Sequence, residues 1–150
     1  MADAVEPWIV RTQQTLGTLV EKPTMSVKLL SKPPFRFIFD VVAAVAAKTG
    51  FGKGLREVCP TDKDEKLQFI IQVIALVGIA LDDVLDVNPI KVVCGLEPDK
   101  TNLLLQSLHA AATTQAHKSE DAVARVLAGE VPITQAKHDS VAIFAKIGSR

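Results

Sequence analysis

The sequence predicts an all-α single domain of about six to eight helices around a buried central helix. Apolar residues recur at helical spacing along nearly every segment, and no run alternates with strand period between hairpin signals. The third observation is the stretch Phe69 to Leu81, apolar except for Gln72 and Gly78. It is too short for the roughly twenty residues a membrane span needs, so it reads as a core helix. The chain has 150 residues, 48% apolar and 23% charged. That is too hydrophobic for disorder, too polar for a membrane protein, and long enough to bury a core.

Taken in order, the first helix runs from about Pro7 to Val20. Pro7 suits the first helical position, and Trp8, Ile9, Thr12, Leu16, Leu19 and Val20 form its apolar stripe. Glu21-Lys22-Pro23-Thr24 breaks it. A short helical turn, Val27 to Leu30, is stopped by Ser31-Lys32-Pro33-Pro34, because a residue before proline is biased out of the helical region. A helix from Pro34 to Lys48 follows, with Phe35, Ile38, Phe39, Val42, Val45 and Ala46 inward and Gly50 as its stop. Thr61 or Asp62 is the expected cap of the central helix, Lys63 to about Leu81, with Asp64 and Glu65 at its positive end. Asn88-Pro89 starts a short helix closed by Gly95. Asp99 is the expected cap of a long helix to about Gln115, and Ser119 that of a helix ended by Gly129. The domain is expected to span residues 1–130. Residues 131–150 form an extension in which Thr134 to Ile147 could dock as a further helix.

Charge is unevenly placed in a neutral chain. Between Lys22 and Arg56 there are seven bases and one acid, whereas Glu57 to Lys100 holds nine acids and four bases. Such segregation points to one face meeting an acidic partner, the alternative being that packing scatters the lysines over the surface. The N-terminus has no basic or apolar leader, so no secretory signal is expected. Cys59 and Cys94 form neither a metal knuckle nor a disulfide framework and read as small buried thiols of a cytosolic protein. His109, His117 and His138 make no motif, and no metal or cofactor is expected. Asp82, Asp83 and Asp86 lack the glycine and terminal glutamate of a calcium loop. Gly50-Phe51-Gly52-Lys53-Gly54 fails as a phosphate loop, since no Ser or Thr follows the lysine and no strand precedes it; the glycines read as a tight connection. No nucleophile motif is present, so no enzyme is expected. Neutral net charge and the lack of an aromatic-basic pattern argue against nucleic acid.

The motifs carry a resemblance. Pro89-Ile90-Lys91-Val92-Val93-Cys94-Gly95 followed by Thr101-Asn102-Leu103-Leu104 is similar to the helix junction of calponin-homology domains. Leu29-Leu30-Ser31-Lys32-Pro33-Pro34-Phe35-Arg36 and Arg125-Val126-Leu127-Ala128-Gly129-Glu130 resemble, more closely, the N-terminal domain of the intraflagellar transport protein 54 family, described as microtubule-interacting and TRAF-associated. The resemblance covers roughly residues 8–130. It implies a non-enzymatic subunit of the intraflagellar transport B complex, in the cytoplasm, cilium or flagellum, basal body and cytoskeleton. Tubulin or microtubules are the implied partners, and a C-terminal coiled coil is expected in the full protein. No heptad run occurs here, so this chain reads as the N-terminal domain alone.

Tubulin is acidic, above all in its disordered C-terminal tails, and so fits the basic block. The residues expected to meet it are Lys28, Lys32, Arg36, Lys48, Lys53 and Arg56. Lys32 and Arg36 flank the rigid Pro-Pro-Phe start of a helix, Lys48 ends that helix, and Lys53 and Arg56 lie just past it. Two readings compete locally: a structural salt bridge for Arg36, and complementation of the helix dipole for Lys48. The rival function is a docking module for another transport subunit or a kinesin motor. Actin binding is a third reading, weakened because actin binders usually carry two such domains and this chain has length for one.

Overall fold

The computed structural model describes residues 5–129, among which seven α-helices and one 3-10 turn occur and no strand. The helices are α1 (Pro7–Leu19), α2 (Val27–Ser31), α3 (Phe35–Thr49), α4 (Lys63–Leu81), α5 (Pro89–Val93), α6 (Pro98–Thr114) and α7 (Ser119–Leu127). The 3-10 turn, Ala116–Lys118, leads into α7. The expected extension, 131–150, lies outside the described residues.

The central helix is α4, as the apolar run predicts. Phe69, Ile70, Ile71, Val73, Ile74, Ala75, Leu76, Val77, Gly78 and Ala80 are all buried, and α4 packs against α5, α6 and α7. A helix apolar around most of its circumference must be covered on most sides. Helix α1 lies along α6, and α6 also touches α2 and α3. In α3 the buried set is wider than the periodicity predicts: Phe37 and Val41 join Ile38, Phe39, Val42 and Val45. Phe35 is instead half-buried, edge-on to Phe69 with ring centroids 5.9 Å apart.

The starts of two helices differ from the sequence reading. Helix α6 begins at Pro98, with Glu97 in the left-handed region at φ 50° as its cap residue, so Asp99 lies in the first turn and does not cap. Proline suits that first position because its missing N–H has no intrahelical acceptor there. Ser119 does not cap α7 either. The preceding 3-10 turn runs straight into the helix, and Ser119 has helical dihedrals. Its hydroxyl oxygen accepts from the Gly52 backbone N–H at 2.8 Å and lies 3.3 Å from the Gly50 carbonyl. A smaller difference is at α4, where Asp62 occupies the cap position without a side-chain capping bond. The thiols expected to be buried are not: Cys94, just past α5, is exposed and Cys59 is half-buried.

Ser119 thereby ties the glycine loop to α7. Gly52 is buried at φ +87°, and a Cβ there would stand 3.4 Å from the Leu76 side chain, so the loop backbone lies close against α4. Phe51, beside it, is fully buried. Ser119→Ala leaves the Gly52 N–H buried without an acceptor, which costs about 2 kcal/mol. Urea denaturation should show that loss as a lower midpoint at unchanged slope; a cost under about 0.5 kcal/mol would mean water replaces the hydroxyl there.

Candidate functional site

The basic residues are presented by α2, α3 and the loop after α3. Helix α2 forms because the Ser26 hydroxyl accepts from the Leu29 N–H at 3.1 Å, and it ends at Lys32 before two prolines. Leu30 is fully buried and its carbonyl accepts from Asn102 of α6 at 2.8 Å, so the turn is fastened from inside. Lys28 and Lys32 are left exposed on it. The Lys32 stem runs over the end of α5: its Cε would stand 3.6 Å from a Cβ on Gly95.

Arg36, in the first turn of α3, is 73% exposed, and its Nε donates to Asp40 Oδ1 at 3.0 Å. That hydrogen bond, and then the Asp40 charge, raise the guanidinium pKa further above its ordinary value. The local salt-bridge reading of Arg36 therefore describes its contacts. Arg56 is likewise engaged: Nε donates to the Val58 carbonyl at 2.9 Å and Nη2 to Glu65 Oε1 at 3.2 Å. Lys48 is exposed in the last turn of α3, and Lys53 is exposed in the glycine loop. Lys53 lines an open cleft of about 320 Å³ with Thr49, Gly50, Ala116, His117, Ser119 and Glu120.

The six residues thus fall into three pairs. Lys28 and Lys32 lie before the start of α3, Lys48 and Lys53 at its far end, roughly 20 Å away by the rise of a helix this long. Neither pair forms an ion pair among the described residues. Arg36 and Arg56 are held by local acids. Other bases come from outside the 22–56 block: Lys66 lies 5.5 Å from the Phe35 ring centroid, and Lys118 Nζ lies 3.4 Å from the Ala80 carbonyl. No window of sequence charge reveals Lys118, because the chain turn that brings it to the end of α4 is a tertiary matter.

Other chemistry is closed off by hydrogen bonding. The glycine loop is poorly suited to cradle a phosphate, since five N–H groups along it are taken internally: Gly50 by Ala46, Phe51 by Thr49, Gly52 by Ser119, Lys53 by Gly50 and Leu55 by Gly52. Asp86 pairs with Lys100 at 3.1 Å and Asp83 Oδ1 accepts from the Val84 N–H. Among the described residues no three His, Cys, Asp or Glu side chains converge on a metal position. Burial alone pushes the His109 pKa down, which marks a packed helix residue with no charged partner behind the shift. No helix among the described residues is long and apolar enough to cross a membrane.

A buried central helix wrapped by short and long helices, with exposed lysines on α2, α3 and the loop after it, fits a calponin-homology-like module. The chain belongs to the family of microtubule-binding protein MIP-T3 CH-like domains, whose model matches residues 8–114. It is 41% identical over 126 residues to TRAF3-interacting protein 1 of Danio rerio, covering 80% of this chain and 20% of that protein. The Rattus norvegicus and Mus musculus proteins of the same name are 39% and 38% identical over the same length, with 19% and 20% of each covered. The chain therefore spans about a fifth of the length of these relatives. The matched family is described as a microtubule-binding CH-like domain, and the Leu29–Arg36 motif that carries the likeness lies inside the matched residues.

Proposed function

We propose that this domain binds tubulin or microtubules through its exposed lysines, Lys28, Lys32, Lys48 and Lys53, as the N-terminal domain of an intraflagellar transport B subunit acting in ciliary assembly. The observation that carries this reading is membership of a microtubule-binding family, joined to four exposed lysines with no acid paired to them among the described residues. Unpaired ammonium groups on fixed turns attract an acidic surface and raise the association rate, both less so as salt screens them. Arg36 and Arg56 contribute less, because Asp40 and Glu65 already neutralise them locally. Contacts with other transport subunits or a kinesin motor would add avidity to a weak single-domain interaction.

Binding of purified tubulin across a salt series tests the proposal. Reversing Lys28, Lys32, Lys48 and Lys53 together to Glu should lower affinity by at least about tenfold near 0.1 M salt and flatten the salt dependence. Removing the pair together, Arg36→Ala/Asp40→Ala, should change it less than about twofold, since an exposed i,i+4 pair carries little net field. Binding that survives the fourfold reversal with an unaltered melt refutes the basic-surface reading.

A further inference from the structure

The lysines at the two ends of α3 have different neighbours. At the Lys48 and Lys53 end the surroundings are polar: Thr49, His117 and Glu120. At the Lys28 and Lys32 end an apolar pair is open to solvent. Helix α5 closes with Gly95 at φ 76°, the Gly95 N–H donating to the Val92 carbonyl at 3.1 Å and the Leu96 N–H to the Lys91 carbonyl at 2.8 Å. This pair of bonds ends α5 and turns the chain at Gly95, with Ile90 in the helix before the turn and Leu96 just after it. Here Ile90 is 45% and Leu96 55% exposed, and Cys94 between them is exposed too.

One cation without an ion pair among the described residues borders this corner: the Lys32 stem passes Gly95, whereas Lys91 is paired with Glu97 at 3.1 Å. Two branched apolar side chains beside an unpaired ammonium match a folded acidic surface with an apolar residue to bury. A disordered, highly acidic tail has no such residue and gains nothing from Ile90 or Leu96.

Resting on the tubulin reading above, we infer that the corner of Ile90, Leu96 and Lys32 docks on the folded body of tubulin. The Lys48 and Lys53 end meets its acidic tails. Binding then has a salt-sensitive, tail-dependent part and an apolar, tail-independent part, carried by opposite ends of α3.

Affinity for intact tubulin and for tubulin stripped of its C-terminal tails, measured for the wild type and for Leu96→Asp, Leu96→Ala and Lys48→Glu/Lys53→Glu, tests this. Leu96→Asp should weaken binding to tail-less tubulin about tenfold, the loss expected for an apolar anchor, and Leu96→Ala by a smaller factor in the same direction. The double lysine reversal should leave tail-less binding unchanged and abolish the advantage of intact over tail-less tubulin. Tail-less tubulin that binds Leu96→Asp as well as wild type overturns the assignment, as does tail-less tubulin that wild type does not bind while intact tubulin is bound. Absence of wild-type binding to intact tubulin overturns the underlying functional reading and this inference with it. Because Leu96 is more than half exposed, both variants should melt close to wild type, and Leu96→Ala keeps the test open if Leu96→Asp does not.

Discussion

Phe69→Ala is expected to destabilise the domain by about 4 kcal/mol and to lower its melting temperature by roughly 15 °C. Phe69 is 1% exposed in the second turn of the central helix, where three aromatic rings from two helices meet. Its ring stands 5.2 Å from Phe39 and 5.9 Å from Phe35, tilted in the first case and edge-on in the second. Truncation removes the transfer free energy of a buried ring, leaves a cavity and breaks two aromatic contacts of about 0.5–1.5 kcal/mol each. The cavity cannot close easily, because Phe35 and Phe39 are placed by α3 and α3 is anchored on its other side by Phe37 and Val41. Far-UV circular dichroism during heating reads the effect. Phe69→Leu should recover about half of it, since leucine refills part of the volume. A melt within about 3 °C of wild type for Phe69→Ala would mean that α3 and α4 do not pack through these rings.

Asn102→Ala should cost about 3 kcal/mol, although it removes only a carboxamide. Asn102 is fully buried on α6, and every polar atom of its side chain is used. Its Nδ2 donates to the Leu30 carbonyl at 2.8 Å and the Pro98 carbonyl at 2.9 Å, while Oδ1 lies 2.7 Å from the Thr12 hydroxyl. Gln106 Nε2 donates in turn to Thr12 Oγ1 at 3.0 Å and to the Trp8 carbonyl at 2.9 Å. The hydroxyl of Thr12 has one proton and two acceptors in reach, Asn102 Oδ1 at 2.7 Å and the Trp8 carbonyl at 3.0 Å; the Trp8 carbonyl already accepts from Gln106, so the proton serves Asn102 Oδ1 and the chain runs from Gln106 to Leu30. The amide orientation follows too, since a flipped carboxamide would aim its oxygen at two carbonyls. Removing Asn102 leaves the Thr12 hydroxyl and the Leu30 carbonyl desolvated without their partner. Asn102→Asp should be at least as damaging, because it places an acceptor where the Leu30 and Pro98 carbonyls need a donor. Thr12→Val should cost less, about 1–2 kcal/mol, for it keeps the shape and loses one link. Equal stability of Asn102→Ala and wild type in chemical denaturation would refute this account of the network.

The same network bears on function. Leu30 is the buried foot of α2, the turn that carries Lys28 and Lys32, so Asn102 positions those lysines from the core side. An Asn102 variant assayed below its melting point should therefore weaken tubulin binding beyond any loss seen for Gly52 or Ser119 variants, which disturb the other end of α3.

Helix periods were legible without coordinates, since a helix shows its buried face every three or four residues and its ends are marked by local chemistry. The Asn88 cap, the Gly50 and Gly95 stops and the nearly all-apolar α4 are of this kind. Asp99 and Ser119 do not take the cap role that their sequence positions suggest, for different reasons. At α6 a neighbouring proline takes the first helical position. At α7 the serine hydroxyl is claimed by a loop sixty-seven residues away in sequence, a partner no local pattern announces.

The basic site divides the same way. The excess of lysine and arginine between Lys22 and Arg56 is a property of the chain, and so is the i,i+4 spacing that lets Arg36 meet Asp40. Family membership, too, is written in motifs such as Leu29 to Arg36. What charge counting could not reveal is which cations stay free and where they stand. That depended on Arg56 folding back onto Glu65 and on the length of α3 holding the lysine pairs apart. It depended as well on α5 and α6 meeting beneath Lys32 with Ile90 and Leu96 uncovered. Local spacing selects helices because backbone periodicity is short-ranged, whereas the partners of a charge are chosen by whichever elements the packed core brings beside it.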